Sequence, residues 1–240
     1  ILINLTTIKS DNFEKKIAES CIKKNIKIIN LVGNLGQEIF QDIIHTNLKS
    51  LPISDLKVIA IASIIHPKNY HDFKKVNIEG IKNLYKACCK YNLSKFTYVS
   101  SNSPFGFNSD KKAFDEFSNY SPKGGYGKSK MNAEKFLLDQ NQIAKITIVR
   151  APWFHGINMP ERQKRFIKSA SKGRFPLIGL GNNLRSIVEV SDLAKALINL
   201  TFRERRYQIY WVSSETLKMQ DMISTIKKAA EKNGYIKKRS

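Results

Sequence analysis

Short β-branched apolar runs alternate along this chain with longer stretches in which apolar residues return every three or four positions. The runs at 1–5, 26–31, 57–62, 95–100, 145–150 and 207–212 predict strands. The periodic stretches at 11–24, 37–47, 73–91, 126–140, 160–172, 191–202 and 216–232 predict helices. Within the strands the apolar residues are nearly continuous, as in Val58-Ile59-Ala60-Ile61-Ala62, rather than strictly alternating. A strand reads this way when both faces of its sheet are covered, as in a parallel sheet flanked by crossover helices. Strand–helix repetition at this spacing predicts a doubly wound α/β fold. After about Arg150 the texture changes. Residues 153–185 hold most of the Gly and Pro that follow Arg150 and read as loops around one or two helices. The expected division is a main domain at 1–152 and a smaller lobe at 153–240, with 186–212 returning to the main sheet.

The 240 residues suit one large domain, or one with a small lobe. The longest apolar stretch, 58–65, is broken by Ser63 and falls far short of the ~20 residues of a membrane span. No signal-peptide pattern opens the chain, and no membrane partner is expected. Cys21, Cys88 and Cys89 are too few for a disulfide framework, so a reducing cytoplasm is the expected compartment.

The net charge is +21, but only 9 of the 41 cations are Arg and 32 are Lys. Ile and Asn are also abundant, at 30 and 20 residues, and like Lys they have A/T-rich codons. A biased genome produces this mixture without selection for a basic protein. The other reading is attraction of anionic ligands or nucleic acid. Two clusters could carry it: Arg162, Lys164, Arg165, Lys168, Lys172 and Arg174, and the tail Lys227, Lys228, Lys232, Lys237, Lys238 and Arg239. Neither is interleaved with several aromatics, and no zinc-finger or RNA-recognition spacing occurs, so no nucleic-acid partner is expected. His45, His66, His71 and His155 pair with no Cys or carboxylate at metal spacing, and no metal site is expected.

Chemistry is carried by Tyr126-Gly127-Lys128-Ser129-Lys130 at the start of a predicted helix. Four residues are about one turn, so Tyr126 and Lys130 share a face. The ammonium is expected to draw the phenol pKa down from its ordinary ~10. A tyrosine so tuned can exchange a proton with a substrate oxygen. The same spacing recurs at Tyr70/Lys74 and Tyr91/Lys95, so spacing alone singles out none of the three. Context does. Only Tyr126/Lys130 follows a strand that ends in hydroxyls, Ser100-Ser101-Asn102-Ser103, and strand ends are where ligands sit in such sheets.

With these residues in hand, the chain resembles the extended short-chain dehydrogenase/reductase family, the NAD-dependent epimerase/dehydratase group. The resemblance runs over almost the whole chain. It includes Asp55 to Ser63 as a strand with a small-residue end, and Val76 to Leu84 as the helix with its Asn77. It continues through Ser100-Ser101, the Tyr126/Lys130 pair, Arg150-Ala151-Pro152-Trp153-Phe154-His155-Gly156, and Leu184 to Ala194. The resemblance implies a Rossmann-like, mainly parallel sheet that binds NAD or NADP, with a smaller C-terminal substrate lobe. It implies Tyr126 as acid/base, Lys130 as tuner and ribose ligand, and Ser101 as the hydroxyl that orients the reacting oxygen. Asn34, Leu35, Ala62, Ser63, Asn77, Ser100, Pro152 and Phe154 would join Tyr126 and Lys130 around the cofactor. Ser103, Asn158 and Arg185 would meet the substrate, a sugar or nucleotide-sugar. Helices 73–91 and 126–140 resemble those of the family's four-helix interface, which implies a homodimer.

The chain also departs from the pattern. The family's opening strand and its G-x-x-G-x-x-G turn, which cradles pyrophosphate at a helix N-terminus, have no counterpart. Residues 1–5 resemble the second strand, and Gly33-Asn34-Leu35 the end of the third, with Asn34 where Asp is usual. The chain is therefore read as a piece of a longer enzyme, the alternative being a degenerate member that binds dinucleotide poorly. Thr6, Thr7 and Lys9 stand where an acid would hold the NAD ribose, which leans towards NADP. Asn102-Ser103 replace the Asp-Glu of 4,6-dehydratases, which disfavours that reaction. Epimerisation or carbonyl/alcohol redox is the expected chemistry. The rivals are a steroid- or flavonoid-type ketone reductase and a non-catalytic dinucleotide-binding scaffold. If charge alone drove function, the protein would bind generic duplex DNA in a salt-dependent way. No measurable binding at physiological salt is expected in a filter or anisotropy assay.

Overall fold

The computed structural model describes residues 2–6, 28–32, 56–65, 67, 69–107, 113–141, 145–156, 159, 161–204 and 208–235. The predicted helices at 11–24 and 37–47 lie outside them, as do Asn34, Leu35 and Asn158.

Six strands form one parallel sheet. They are β1 (Leu2–Thr6), β2 (Ile28–Val32), β3 (Leu56–Ala60), β4 (Leu93–Ser101), β5 (Ile146–Ala151) and β8 (Ile209–Trp211), in the order β2-β1-β3-β4-β5-β8. From β1 the chain goes to β2 on one side and then crosses to β3 on the other. The carboxyl ends of β1 and β3 therefore flank the switch-point crevice, where such sheets take their ligands. Residues 1–5, read from sequence as the family's second strand, pair here directly with β3 as well as with β2. Parallel strands satisfy their buried backbone groups only through a neighbour on each side, and β1 is the strand that meets both.

Between β3 and β4 one helical run covers the sheet: α1 (Tyr70–Phe73), a wide π-helical turn (Lys74–Glu79) and α2 (Gly80–Cys89). Helix α3 (Gly125–Leu138) packs beside it, joining β4 to β5. The apolar continuity of the strands now has its reason. Val58, Ala60, Phe96, Tyr98 and Ile148 pack with Leu84, Cys88, Ala133 and Leu137 of the helices on one face. Ile59, Val149 and Ala151 pack with Leu193, Ala194, Leu197 and Ile198 of α5 (Val190–Phe202) on the other. Successive residues thus serve opposite faces, as pleating requires.

A three-stranded sheet holds β6 (Trp153–His155), β7 (Leu184–Glu189) and β9 (Glu215–Lys218), with β6 parallel and β9 antiparallel to β7. It packs with α4 (Glu161–Ser171) and α6 (Met219–Lys232) through Trp153, Phe166, Ile187, Leu217, Met219 and Met222. The helix expected over 216–232 starts only at Met219. Thr216 and Leu217 pair instead with Ser186 and Arg185, so a ladder overrides the helical period at its first turn.

Leu197 is fully buried against β3, β4 and β5. Leu197→Ala is expected to cost about 2–5 kcal/mol in a denaturant-unfolding experiment. Ile178→Ala, at a side chain 92% exposed, should leave the midpoint nearly unchanged.

Candidate functional site

Strand β4 ends at Ser101, and the chain turns through Ser103–Phe105. The start of α3 lies almost on this turn. A Cβ on Gly127 would stand 2.5 Å from the Ser103 carbonyl oxygen, so only glycine lets the helix approach so closely. Tyr126, one residue earlier, is thereby held at the strand end. The side chains of Ser63, beyond β3, and Ser101 stand beside its hydroxyl and favour its ionised form. Ser101 Oγ lies 3.1 Å from Ser103 Oγ and accepts the Ser103 N–H at 3.2 Å. Four hydroxyls from three segments thus meet beside the crevice.

Behind them sits a brace. Asn77, in the π-helical turn, is fully buried. Its Oδ1 accepts the Ile64 N–H at 2.9 Å, and its Nδ2 donates to the Ile64 carbonyl at 3.0 Å and to Ser129 Oγ at 2.9 Å. Ser129 Oγ donates in turn to the Tyr126 carbonyl at 2.8 Å. Asn77 was expected at the cofactor. Its side-chain bonds clamp Ile64 to the first turn of α3.

Lys130 is 2% exposed. Its Nζ donates to the Val99 carbonyl at 2.8 Å and lies 4.6 Å from the Tyr98 ring centroid and 6.0 Å from that of Tyr126. Burial lowers its pKa from 10.5 to about 7, opposed by the charge of Glu134. The Tyr126 phenol is pushed up by burial, and the bonds from Ser63 and Ser101 pull it back down. The sequence reading expected Lys130 to lower the phenol. In the structure the lowering comes from the two serines, and the lysine rests on Tyr98.

Ser100 was also expected at the cofactor. It is 4% exposed, and its hydroxyl donates to Glu134 within the core. Glu134 is itself fully buried and accepts from Tyr120 Oη at 2.8 Å and from Arg150 at 2.9 and 3.1 Å. Tyr126, Lys130 and Glu134 are spaced four and four, one stripe of α3. The four-residue spacing that marks Lys130 in the sequence marks Glu134 as well.

Ala62 and Pro152 follow β3 and β5 and are buried, and Phe154 of β6 is partly so. Arg185 stands apart, in the small sheet. Its guanidinium lies 5.1 Å from the Trp153 ring centroid, and that of Arg162 lies 5.7 Å from the same ring. Burial and then Arg162 lower the Arg185 pKa, and its buried Nε has no hydrogen-bond partner among the described residues. Also among the described residues, no group of His, Cys, Asp and Glu could hold a metal ion.

The donor set suits a dinucleotide. The Lys130 ammonium has three protons and gives one to Val99, and no protein acceptor takes the other two among the described residues. Those two match the adjacent hydroxyls of a ribose at the end of β4, and the cluster of serine and tyrosine hydroxyls matches a carbinol.

The model of the NAD dependent epimerase/dehydratase family matches residues 58–211. An uncharacterized protein of Sinorhizobium fredii (strain NBRC 101917 / NGR234) is 42% identical over 165 residues, 66% of this chain and 46% of that protein. The N-acetyl-alpha-D-glucosaminyl-diphospho-ditrans,octacis-undecaprenol 4-epimerase of Escherichia coli O157:H7 is 26% identical over 169 residues, 68% of this chain and 50% of that enzyme. The chain thus spans about half the length of these curated relatives. The dTDP-glucose 4,6-dehydratase of Bacillus anthracis, solved in complex with NAD, shares the fold. Its TM-score is 0.78 at 17% identity, over 99% of this chain and 82% of that one.

A lysine held below its unfolded pKa binds fewer protons in the native state between about pH 7 and its ordinary value. The unfolded state then binds more, and stability rises with pH across that window. Lys130→Met lacks this contribution. Between pH 7 and 9 the thermal midpoint of the wild type should therefore rise relative to that of Lys130→Met. A difference independent of pH would refute the buried, titrating lysine.

Proposed function

The chain belongs to the NAD dependent epimerase/dehydratase family, and on that premise we propose that it serves an epimerase or oxidoreductase reaction at a sugar or nucleotide-sugar carbinol. The observation that carries this reading is the Tyr126 phenol beside the Ser63 and Ser101 hydroxyls, at the strand-end turn that Gly127 lets α3 approach and one helical turn from a buried lysine. Ser101 orients the reacting oxygen. Tyr126 takes the carbinol proton as the C–H bond breaks and returns a proton when the carbonyl is reduced. Lys130 holds the nicotinamide ribose through its two remaining protons, and Ala62, Ser63, Pro152 and Phe154 line the cofactor's path. The bound dinucleotide supplies the hydride acceptor, and then the donor, at the carbon.

NAD is the cofactor favoured by the family's own description and by the dinucleotide in the Bacillus anthracis dehydratase. A sugar carrying a diphosphate is favoured by Arg185 and Arg162, both within reach of the Trp153 ring, a cationic pair that a neutral steroid or flavonoid ketone would not need. The relative from Escherichia coli acts on a sugar diphosphate joined to undecaprenol, which agrees with that class. Asn102-Ser103 after Ser101 still argues against 4,6-dehydration. Assembly as a homodimer through the helices flanking Tyr126 belongs to the same proposal.

The test is a screen of nucleotide-sugars on the longest native form, following nicotinamide absorbance and product stereochemistry. Tyr126→Phe should lower turnover at least ~100-fold while dinucleotide affinity stays nearly intact, and Lys130→Met should weaken both. Wild-type rates in Tyr126→Phe would refute the assignment.

A further inference from the structure

Lys130 is a cation in a core, and its immediate contacts are poor compensation for burial. It has one neutral carbonyl and two aromatic faces. The titratable groups that face it are Tyr98 of β4 and Tyr126 and Glu134 of α3, and Glu134 faces in turn Tyr120 of the preceding loop and Arg150 of β5. Only Glu134 is negative.

Its carboxylate nevertheless makes no contact ion pair with Lys130. Ser100 donates to Oε1, and Tyr120 Oη with two nitrogens of Arg150 donates to Oε2. Arg150 is fixed in turn, with its guanidinium carbon 4.3 Å from the Phe105 ring centroid and 5.3 Å from that of Trp211. A free carboxylate one turn from a lysine would form a contact pair and hold the ammonium to itself. Here the oxygens are already taken, so the charge acts across the turn while the Lys130 protons stay available.

We propose that Glu134 is a positioning residue for Lys130, a fully bonded carboxylate that steadies the ammonium from a distance without drawing it away from the Val99 carbonyl and the crevice. The inference rests on the assignment of Lys130 as the partner of Tyr126, but its first readout needs no substrate. The direction of the electrostatics agrees, since Glu134 is the group that raises the Lys130 pKa against burial.

The experiment follows the Lys130 side chain by NMR in protein carrying lysine labelled with carbon-13 at Cε, with Lys130→Met identifying its signal. In Glu134→Gln the titration midpoint should fall by a unit or more, a ~10-fold or larger change in acid dissociation constant. Glu134→Asp, which keeps the charge, should restore most of the wild-type midpoint. Should Glu134→Gln fail to fold with Arg150 unpaired, Glu134→Gln/Arg150→Met removes both charges together, a change that buried pairs tolerate. The double variant should then show a fall in the same direction, made smaller by the loss of the Arg150 cation, which opposes the Lys130 charge. An unchanged midpoint overturns the proposal, as do equal shifts in the Gln and Asp variants, or a double variant that cannot fold. Dinucleotide affinity is measured alongside. A fallen midpoint with unchanged affinity leaves the Glu134 proposal standing and removes Lys130 from cofactor binding.

Discussion

Two opposite charges stand in the core between α3 and the sheet, Glu134 at 0% and Arg150 at 2% exposure. A buried ion pair repays its desolvation only where hydrogen bonds satisfy its remaining lone pairs and protons. Meeting that condition recruits Ser100 from β4, Tyr120 from the loop before α3, and the Phe105, Tyr120 and Trp211 rings around the guanidinium. Those partners come from four separate stretches of chain, so the pair fixes how α3, β4, β5 and β8 meet. The positions of Lys130 and Tyr126 follow, because both stand on the same stripe of that helix.

The hydroxyl cluster draws on a second constraint, which is proximity. Glycine at 127 lets the first turn of α3 lie against the carbonyl of Ser103, and this distance brings the phenol within reach of Ser101. Ser63 arrives from the other side, at the end of the strand next to the switch point. The chemistry assigned to the site therefore depends on strand ends and one helix start, all backed by packed core.

The parallel sheet was legible in sequence because its strands are apolar on both faces, and Tyr126/Lys130 was legible because four residues make a turn. The small sheet was not. β6 has three residues, β7 is largely half-exposed, and β9 has the helical period of the segment that follows it. Their strand character comes from pairing with one another, which no local pattern records. The bonds of Asn77 and Ser100 join residues 13 to 52 positions apart, so these partners could not be found by inspection of the chain. Spacing located the lysine, but burial, which spacing does not reveal, governs its protonation.

Asn77 deserves a last consideration as a mechanical part. It grips both peptide groups of Ile64 and, through Ser129, the backbone of Tyr126. Displacement of the loop after β3 is therefore transmitted to the phenol without passing through solvent. Under the function proposed, a dinucleotide that orders the segment after β3 also orders the helix turn on which Tyr126 stands.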